Sequence, residues 1–481
     1  MNREPIMLAT MLLALLPGAD PAVSLALHPD NPHYFLFRGR PALLITSGEH
    51  YGAVLNLDFD YRTYLKTLEA DGLNLTRTFV GAYVEPAGAF NIAENTLAPA
   101  EGRFIAPWAR STTPGYAHGG NKFDLSRFNA AYFDRLKDFV TKAGRLGIVV
   151  EVNLFCPFYD EAQWKLSPFN VNNNVNALGK VARTDVYTLD KHGGLLAVQE
   201  ALVRKIVAEL KEYDNIYYEI CNEPYFGGVT MAWQHHIADV ITAAENGFPM
   251  RHLISQNVAN GAAKIERPHP AVSISNFHYA APPDAVAMNF GLNKAIGDNE
   301  TGFRGTQDAA YRMEAWDFVI AGGGLFNHLD YSFTTKHPDG TFAFPASQPG
   351  GGGRELRRQF RVLMEFMQAF DFVKMKPDST TVIGNAPLGL SVRCLAEPGH
   401  AYAFYLRPVL AKKGSSTPKR ADEVALKLKL PAGSYRLEWL DPVSGRTVKE
   451  ESLRADGGER QFIAPKFADD LALRIRVSEA K

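Results

Sequence analysis

Eight short apolar runs rich in β-formers alternate with amphipathic helical patterns between residue 41 and about 333, and beyond Pro377 the hydrophobic period drops to two. Together they predict an α/β chain, a (β/α)8 TIM barrel followed by a small all-β sandwich. A length of 481 residues suits one large barrel plus an accessory module. The division expected is 1–22 as a signal peptide, 23–376 as the barrel and 377–481 as the sandwich. With 51 Lys+Arg against 52 Asp+Glu and no long basic run, the chain lacks the clustered cations that phosphate contacts need, so no nucleic-acid partner is expected.

At the N-terminus one basic residue precedes an apolar run of about eleven, Ile6 to Leu16. That is too short to span a bilayer, which takes about 20 residues, and suits a secretory signal. A secreted or periplasmic protein without an integral membrane anchor is therefore expected. Cys156, Cys221 and Cys394 are too few for a disulfide framework and should be free thiols.

The strand-like runs are 42–47, 73–80, 147–155, 216–222, 253–258, 272–279, 292–298 and 324–329. Between Asp124 and Leu146, apolar residues from Phe128 to Ala143 recur at helical spacing, with Asp124 in the position of an N-cap. Leu195 to Leu210 repeats the pattern. After the fifth and sixth strands only short helices fit. Two long connections, 83–121 and 156–194, follow strands, so they should wall the catalytic face. A closing helix is expected over 355–372. Runs such as 401–405, 424–430, 434–439 and 471–476 then alternate as in a sandwich, whose expected role is to brace the barrel.

The informative segment is Asn215-Ile-Tyr-Tyr-Glu-Ile-Cys-Asn-Glu-Pro224, a strand that ends in an acid. Its period of two puts Tyr217, Glu219, Cys221 and Glu223 on one face, with Glu223 at the C-terminal mouth of the barrel. Three strands later, Ala295-Ile-Gly-Asp-Asn-Glu300-Thr-Gly302 repeats the arrangement with Glu300. Facing carboxyls suit glycoside hydrolysis, in which one protonates the leaving oxygen and the other attacks or activates water. No Cys/His spacing matches a metal site, so neither metal nor cofactor is expected. His235-His236 is no chelate, because adjacent helical residues face different directions. The sequons at Asn74 and Asn299 fall in barrel strands, where a glycan would block folding or catalysis.

Ile220-Cys-Asn-Glu-Pro224 resembles the acid/base motif of the clan A retaining glycoside hydrolases, the group that includes family 5, and Glu300 falls where that clan carries its nucleophile. Leu73-Asn-Leu-Thr-Arg77 resembles the strand-two element whose Arg contacts the nucleophile, and Phe277-His278-Tyr279 is similar to the element ending strand six. His28 to Phe35, Asp298 to Gly302 and Phe326 to Phe333 resemble a group of exported family-5-like proteins with a C-terminal sandwich of the collagen-binding type. The resemblance implies Glu223 and Glu300 as catalytic residues, with Arg77, Asn222, His278 and Tyr279 at the substrate. Glu49 and His50 end strand one, and His328 and Asp330 end strand eight, so these four join the candidate substrate-binding set. Two positions depart from the family 5 pattern. Strand eight offers Asn327, His328, Asp330 and Tyr331 in place of a Trp, and strand three ends in Asn153-Leu-Phe155 without a His.

In a retaining site the carboxyls sit about 5 to 5.5 Å apart and cannot both ionise cheaply. Arg77 is expected to hold Glu300 anionic and leave the proton on Glu223. The substrate expected is an oligo- or polysaccharide of neutral, β-linked sugars. Trp108, Trp164, Tyr83, Phe158 and Tyr225 are candidates for stacking on it. A transglycosylase on the same site is an alternative. A non-catalytic carbohydrate-binding or scaffold protein is another, and would show loss of one acid or of Arg77.

Overall fold

The computed structural model describes residues 24–478 except 385, 388 and 410–423. The expected signal peptide lies outside the described residues. Eight parallel strands form the central sheet: β1 (Leu44–Gly48), β2 (Leu75–Phe79), β3 (Val149–Asn153), β4 (Ile216–Glu219), β5 (Ile254–Asn260), β6 (Val272–His278), β7 (Ala295–Thr301) and β8 (Leu325–Leu329). Their order is β1-β8-β7-β6-β5-β4-β3-β2. The remaining seam, β1 to β2, is stitched by Asn74. Its Oδ1 accepts from the Ile45 N–H at 2.9 Å and its Nδ2 donates to the Leu43 carbonyl at 2.7 Å. The result is a TIM barrel, and Asn74 is committed to closing it.

Among the described residues, and apart from the short loop helix Glu161–Leu166, seven helices clad the barrel: α1 (Tyr61–Ala70), α2 (Ala130–Arg145), α3 (Leu196–Leu210), α4 (Met231–Ala244), α5 (Asp284–Asn289), α6 (Asp308–Ile320) and α7 (Arg354–Gln368). The six-residue α5 follows β6, but β5 runs on to β6 with no helix between them. Asp124 does not cap α2. Residues Asn121–Phe128 form a strand that pairs with Trp108–Pro114, and the helix begins at Ala130 after Asn129. Phe123 and Leu125 are both buried, and their period of two decides the matter locally. In α4, His236 pairs with Glu200 while His235 tilts against His269, so the two imidazoles diverge.

The barrel interior is layered. At its N-terminal end Leu44, Leu75, Val149, Tyr217, Ile274, Ala295 and Leu325 pack with Phe35, from the small antiparallel sheet of Ala26–Leu27, Phe35–Phe37 and Arg40–Ala42, and with Leu25, which immediately precedes it. Above this plug the inward positions turn polar, with Arg77, Glu151, Glu219, Asn276 and Asn299 all buried.

The C-terminal strands are β9 (Leu390–Glu397), β10 (Ala401–Pro408), β11 (Ala425–Leu430), β12 (Gly433–Leu440), β13 (Thr447–Ala455), β14 (Gly458–Ile463) and β15 (Leu471–Val477). Lys376–Pro377 joins β9-β10-β15-β12-β13 in one antiparallel sheet, and β11 pairs with β14 in another. Leu428 and Phe462 of the second sheet share a core with Phe404, Leu437, Trp439 and Ile475 of the first. This unit is fastened to α6. Trp316 stacks on Tyr405 with centroids 5.4 Å apart, Arg312 bonds Asp470 at 2.9 Å, and Asp317 takes Arg407 Nε at 2.9 Å. No described helix is long and apolar enough to cross a membrane. The three cysteines are free and buried.

Candidate active site

The strand carrying Glu223 leaves the sheet at Glu219, three residues earlier than its apolar run implies. The chain then bends, with the Asn222 N–H donating to the Phe155 carbonyl at 2.8 Å and Glu223 held at φ +35°. Tyr51 (φ +59°) and Tyr279 (φ +52°) share the left-handed region, which side chains rarely adopt. All three point into one site, and strain of this kind collects where a fold fixes side chains for function.

Glu300 lies within β7 and is nearly saturated with donors. Tyr279 donates to Oε1 at 2.8 Å, and Tyr51 and Arg77 Nη1 donate to Oε2 at 2.9 and 3.2 Å. Glu223 receives the Tyr159 hydroxyl at 2.6 Å on Oε2 and the Tyr225 hydroxyl at 3.3 Å on Oε1. Between the acids stands His278, whose Nδ1 is 3.1 Å from Glu223 Oε1 and 3.4 Å from Glu300 Oε1. An oxygen of each carboxyl and this nitrogen all lie within 4.8 Å of one another. Distance alone would let the trio hold a metal ion. Its lone pairs are already engaged by a guanidinium, tyrosine hydroxyls and an imidazole, a donor set suited to proton transfer.

Burial opposes charge on His278, but the Glu300 carboxylate and hydrogen bonds to both acids push its pKa up to about 10, so it is an imidazolium. Burial likewise opposes charge on Glu300. The His278 cation overcomes it, Arg77 and the Tyr279 hydroxyl add to the effect, and the carboxyl falls far below the usual range. The expected single cation is therefore two, with the imidazolium the stronger. Arg77 is shared: it also bonds Glu151, Glu219 and, at 2.7 Å, Asn222 Oδ1. Burial, and then the Glu219 charge, raise Glu151 to about 7.

A cavity of about 300 Å³ opens on the two acids. Of the residues singled out from the sequence, Glu223, Glu300, Asn222, Tyr279, His50 and Tyr83 line it. Arg77 and His278 support the acids from beneath. Glu49 is turned away: its carboxylate accepts the backbone N–H groups of Gly52 and Ala53, each at 3.0 Å, and the Thr96 hydroxyl. His328 packs under Tyr311 with centroids 4.2 Å apart, and Asp330 binds Arg357 at 2.7 Å, so neither reaches the cavity. Trp108 and Trp164 pack on Phe169 and Phe158 inside the loops. Sequence reasoning missed Tyr51, Tyr159, Glu85, Phe90, Phe226 and Phe303, which also line the cavity. It missed Glu151 too, although a lone acid within Ile148-Val-Val-Glu-Val152 was a visible signal.

A TIM barrel with one acid just beyond β4, a second within β7 and a guanidinium at the second is the form of a glycosidase. Residues 61–255 match the family model for cellulase, glycosyl hydrolase family 5. The matched segment carries Arg77 and Glu223, spans less than half of the chain and is similar to that family; with the two acids it makes the protein a glycosidase. No curated protein matches it in sequence. Among solved structures it is similar to a glycoside hydrolase family 5 protein from Bacteroides vulgatus, at 14% identity and TM-score 0.62 over 94% of each chain. A second chain from Bacteroides vulgatus matches at 15% identity and TM-score 0.62, over 96% of this chain and 84% of that one. A further glycoside hydrolase matches at 13% and 0.61, over 96% and 98%. At such identities the likeness shows the fold.

Proposed function

We propose that this glycosidase is exported and cleaves β-linked neutral glycosides with retention, Glu300 acting as nucleophile and Glu223 as acid/base. The supporting observation is the carboxyl separation. Oxygens within 4.8 Å suit a retaining pair, whereas an inverting pair stands about 6.5 to 9.5 Å apart to admit a water. His278 and Arg77 keep Glu300 anionic, so it attacks the anomeric carbon while Glu223 protonates the departing oxygen. Esterification removes the Glu300 charge. Glu223 then takes a proton from the incoming water, which releases the sugar with its original configuration. Asn222, with Nδ2 2.9 Å from the Tyr159 hydroxyl, borders the cavity where a sugar 2-hydroxyl would lie. No Lys or Arg lines the cavity, while Glu85, Glu223 and Glu300 do, which favours neutral sugars over uronates or phosphates. The N-terminal apolar run supports export, and the resemblance of the Asn222-Glu223-Pro224 segment supports the β linkage. Proton NMR of the first product from an aryl β-glycoside tests the mechanism: the β-anomer is expected, and the α-anomer would overturn it.

A further inference from the structure

The cavity is small and has an end. Its volume of about 300 Å³ sits at the bottom of the roughly 300 to 1,000 Å³ range of small-molecule pockets. Cavities beside Pro283 and Arg393, beside Asp441 and Lys466, and beside Thr63 and Arg354 share no lining residue with it. Its walls divide by exposure. Glu85, Tyr83, Tyr51, Phe79 and Leu97 are buried and form the closed part. Phe90, Phe226 and Phe303 are 42%, 42% and 40% exposed, and Tyr225 beside them is 37% exposed. These four are the exposed aromatic side chains among the described residues, and they gather at this one mouth. Tyr225 and Phe226 follow the acid/base Glu223 after Pro224, and the Tyr225 hydroxyl reaches Glu223 Oε1 at 3.3 Å, which puts the mouth on the leaving-group side.

At the closed end stands a carboxylate that the two-acid mechanism does not use. Glu85 Oε1 accepts the Tyr83 hydroxyl at 2.9 Å and Oε2 accepts Asn95 Nδ2 at 2.5 Å, which leaves lone pairs over. His50 Nε2 is 3.9 Å from Glu85 Oε1. That gap is too long for a hydrogen bond, and one oxygen beside it, about 2.8 Å from each atom, would bond both. His50 Nδ1 is buried without a partner, so the ring hydrogen sits more cheaply on Nε2, facing Glu85. A hydroxyl in the gap accepts from His50 and donates to Glu85.

We propose that Glu85 and His50 clamp a hydroxyl of a single terminal sugar, and that the enzyme removes residues one at a time from the non-reducing end. This rests on the retaining reading, because the sugar held in the closed part is the one transferred to Glu300. The leaving portion then extends past the Phe90, Phe226 and Phe303 collar into solvent.

The test uses the full chain. It starts from whichever 2,4-dinitrophenyl β-glycoside of glucose, mannose, galactose or xylose turns over fastest. The matching β-linked pentasaccharide, fluorescently labelled at its reducing end, should shorten by one residue per step, with free monosaccharide from the earliest time point. Early labelled mono- or disaccharide beside unlabelled trisaccharide would overturn the inference while leaving the retaining mechanism standing. Failure of a 2-deoxy-2-fluoro glycoside to label Glu300 would remove both. For the clamp, Glu85→Gln and Glu85→Ala should lower kcat/KM by about 10² to 10⁴, since a site built to bond a hydroxyl discriminates strongly. One monodeoxy glycoside should be slow by the same factor on the parent enzyme and should lose little more with either variant. A Glu85→Gln protein with unchanged melting temperature and unchanged kcat/KM would overturn the clamp.

Discussion

Replacing His278 with Gln tests the electrostatic core of the site. The imidazolium is 3.4 Å from Glu300 and 3.1 Å from Glu223. At an effective dielectric of about 20, unit charges 3.4 Å apart interact by about 5 kcal/mol, equivalent to roughly 3 to 4 pKa units. Arg77 and the Tyr51 and Tyr279 hydroxyls remain in the variant, and even a third of the effect moves Glu300 upward by more than one unit. The assay is kcat/KM against pH on a dinitrophenyl glycoside. The parent enzyme should keep Glu300 ionised throughout the acid range in which it stays folded. In His278→Gln the acid limb should rise by at least one pH unit. The same pair fixes a stability window. Glu300, lowered from 4.5, stabilises the fold fully above that pH and loses its contribution progressively as pH falls from there through its depressed folded value. His278, raised from 6.5 to about 10, contributes fully below 6.5 and loses its contribution as pH climbs through 10. The stabilisation is therefore whole between 4.5 and 6.5, and His278→Gln should flatten both flanks. A variant profile that differs from the parent only in height would refute the charge argument.

Other perturbations separate the remaining roles. Glu223→Ala should hydrolyse poor leaving groups 10² to 10⁴ times more slowly, yet still form the covalent intermediate from dinitrophenyl glycosides, with azide accelerating its release as a β-glycosyl azide measurable by chromatography. Asp317→Ala strands Arg407 at the contact between α6 and the C-terminal sheet. It should cost about 3 to 5 kcal/mol in denaturant unfolding, and a loss below 1 kcal/mol would show that the contact is solvated.

The barrel was legible because its strands are buried on both faces and read as uninterrupted apolar runs. Glu223 and Glu300 stood out as acids at the ends of such runs. Strand-end position sets a side chain's height in the barrel and not its direction, which is why Glu49, His328 and Asp330 looked equivalent to them. The structure engages those three with the Gly52 and Ala53 amides, with Ser47 at His328 Nδ1 and with Arg357. Asp124 misled because a helical spacing from Phe128 onward outweighed a five-residue alternation just before it. The walls of the cavity were illegible for a different reason. Tyr51, Glu85, Phe90, Tyr159, Phe226 and Phe303 sit in connections without periodicity, and only the closed barrel brings them together. The two-acid scheme needed a cation, and Arg77 supplied one. That His278 would stand between both acids depends on the turn at Tyr279, which no spacing reveals.

Mass spectrometry of the enzyme inactivated by a 2-deoxy-2-fluoro β-glycoside tests the central claim most directly. One sugar per chain, esterified to Glu300 in the peptide containing Asp298-Asn-Glu-Thr-Gly302, is the predicted result. A label on any other residue, or turnover that persists in Glu300→Ala, would contradict it.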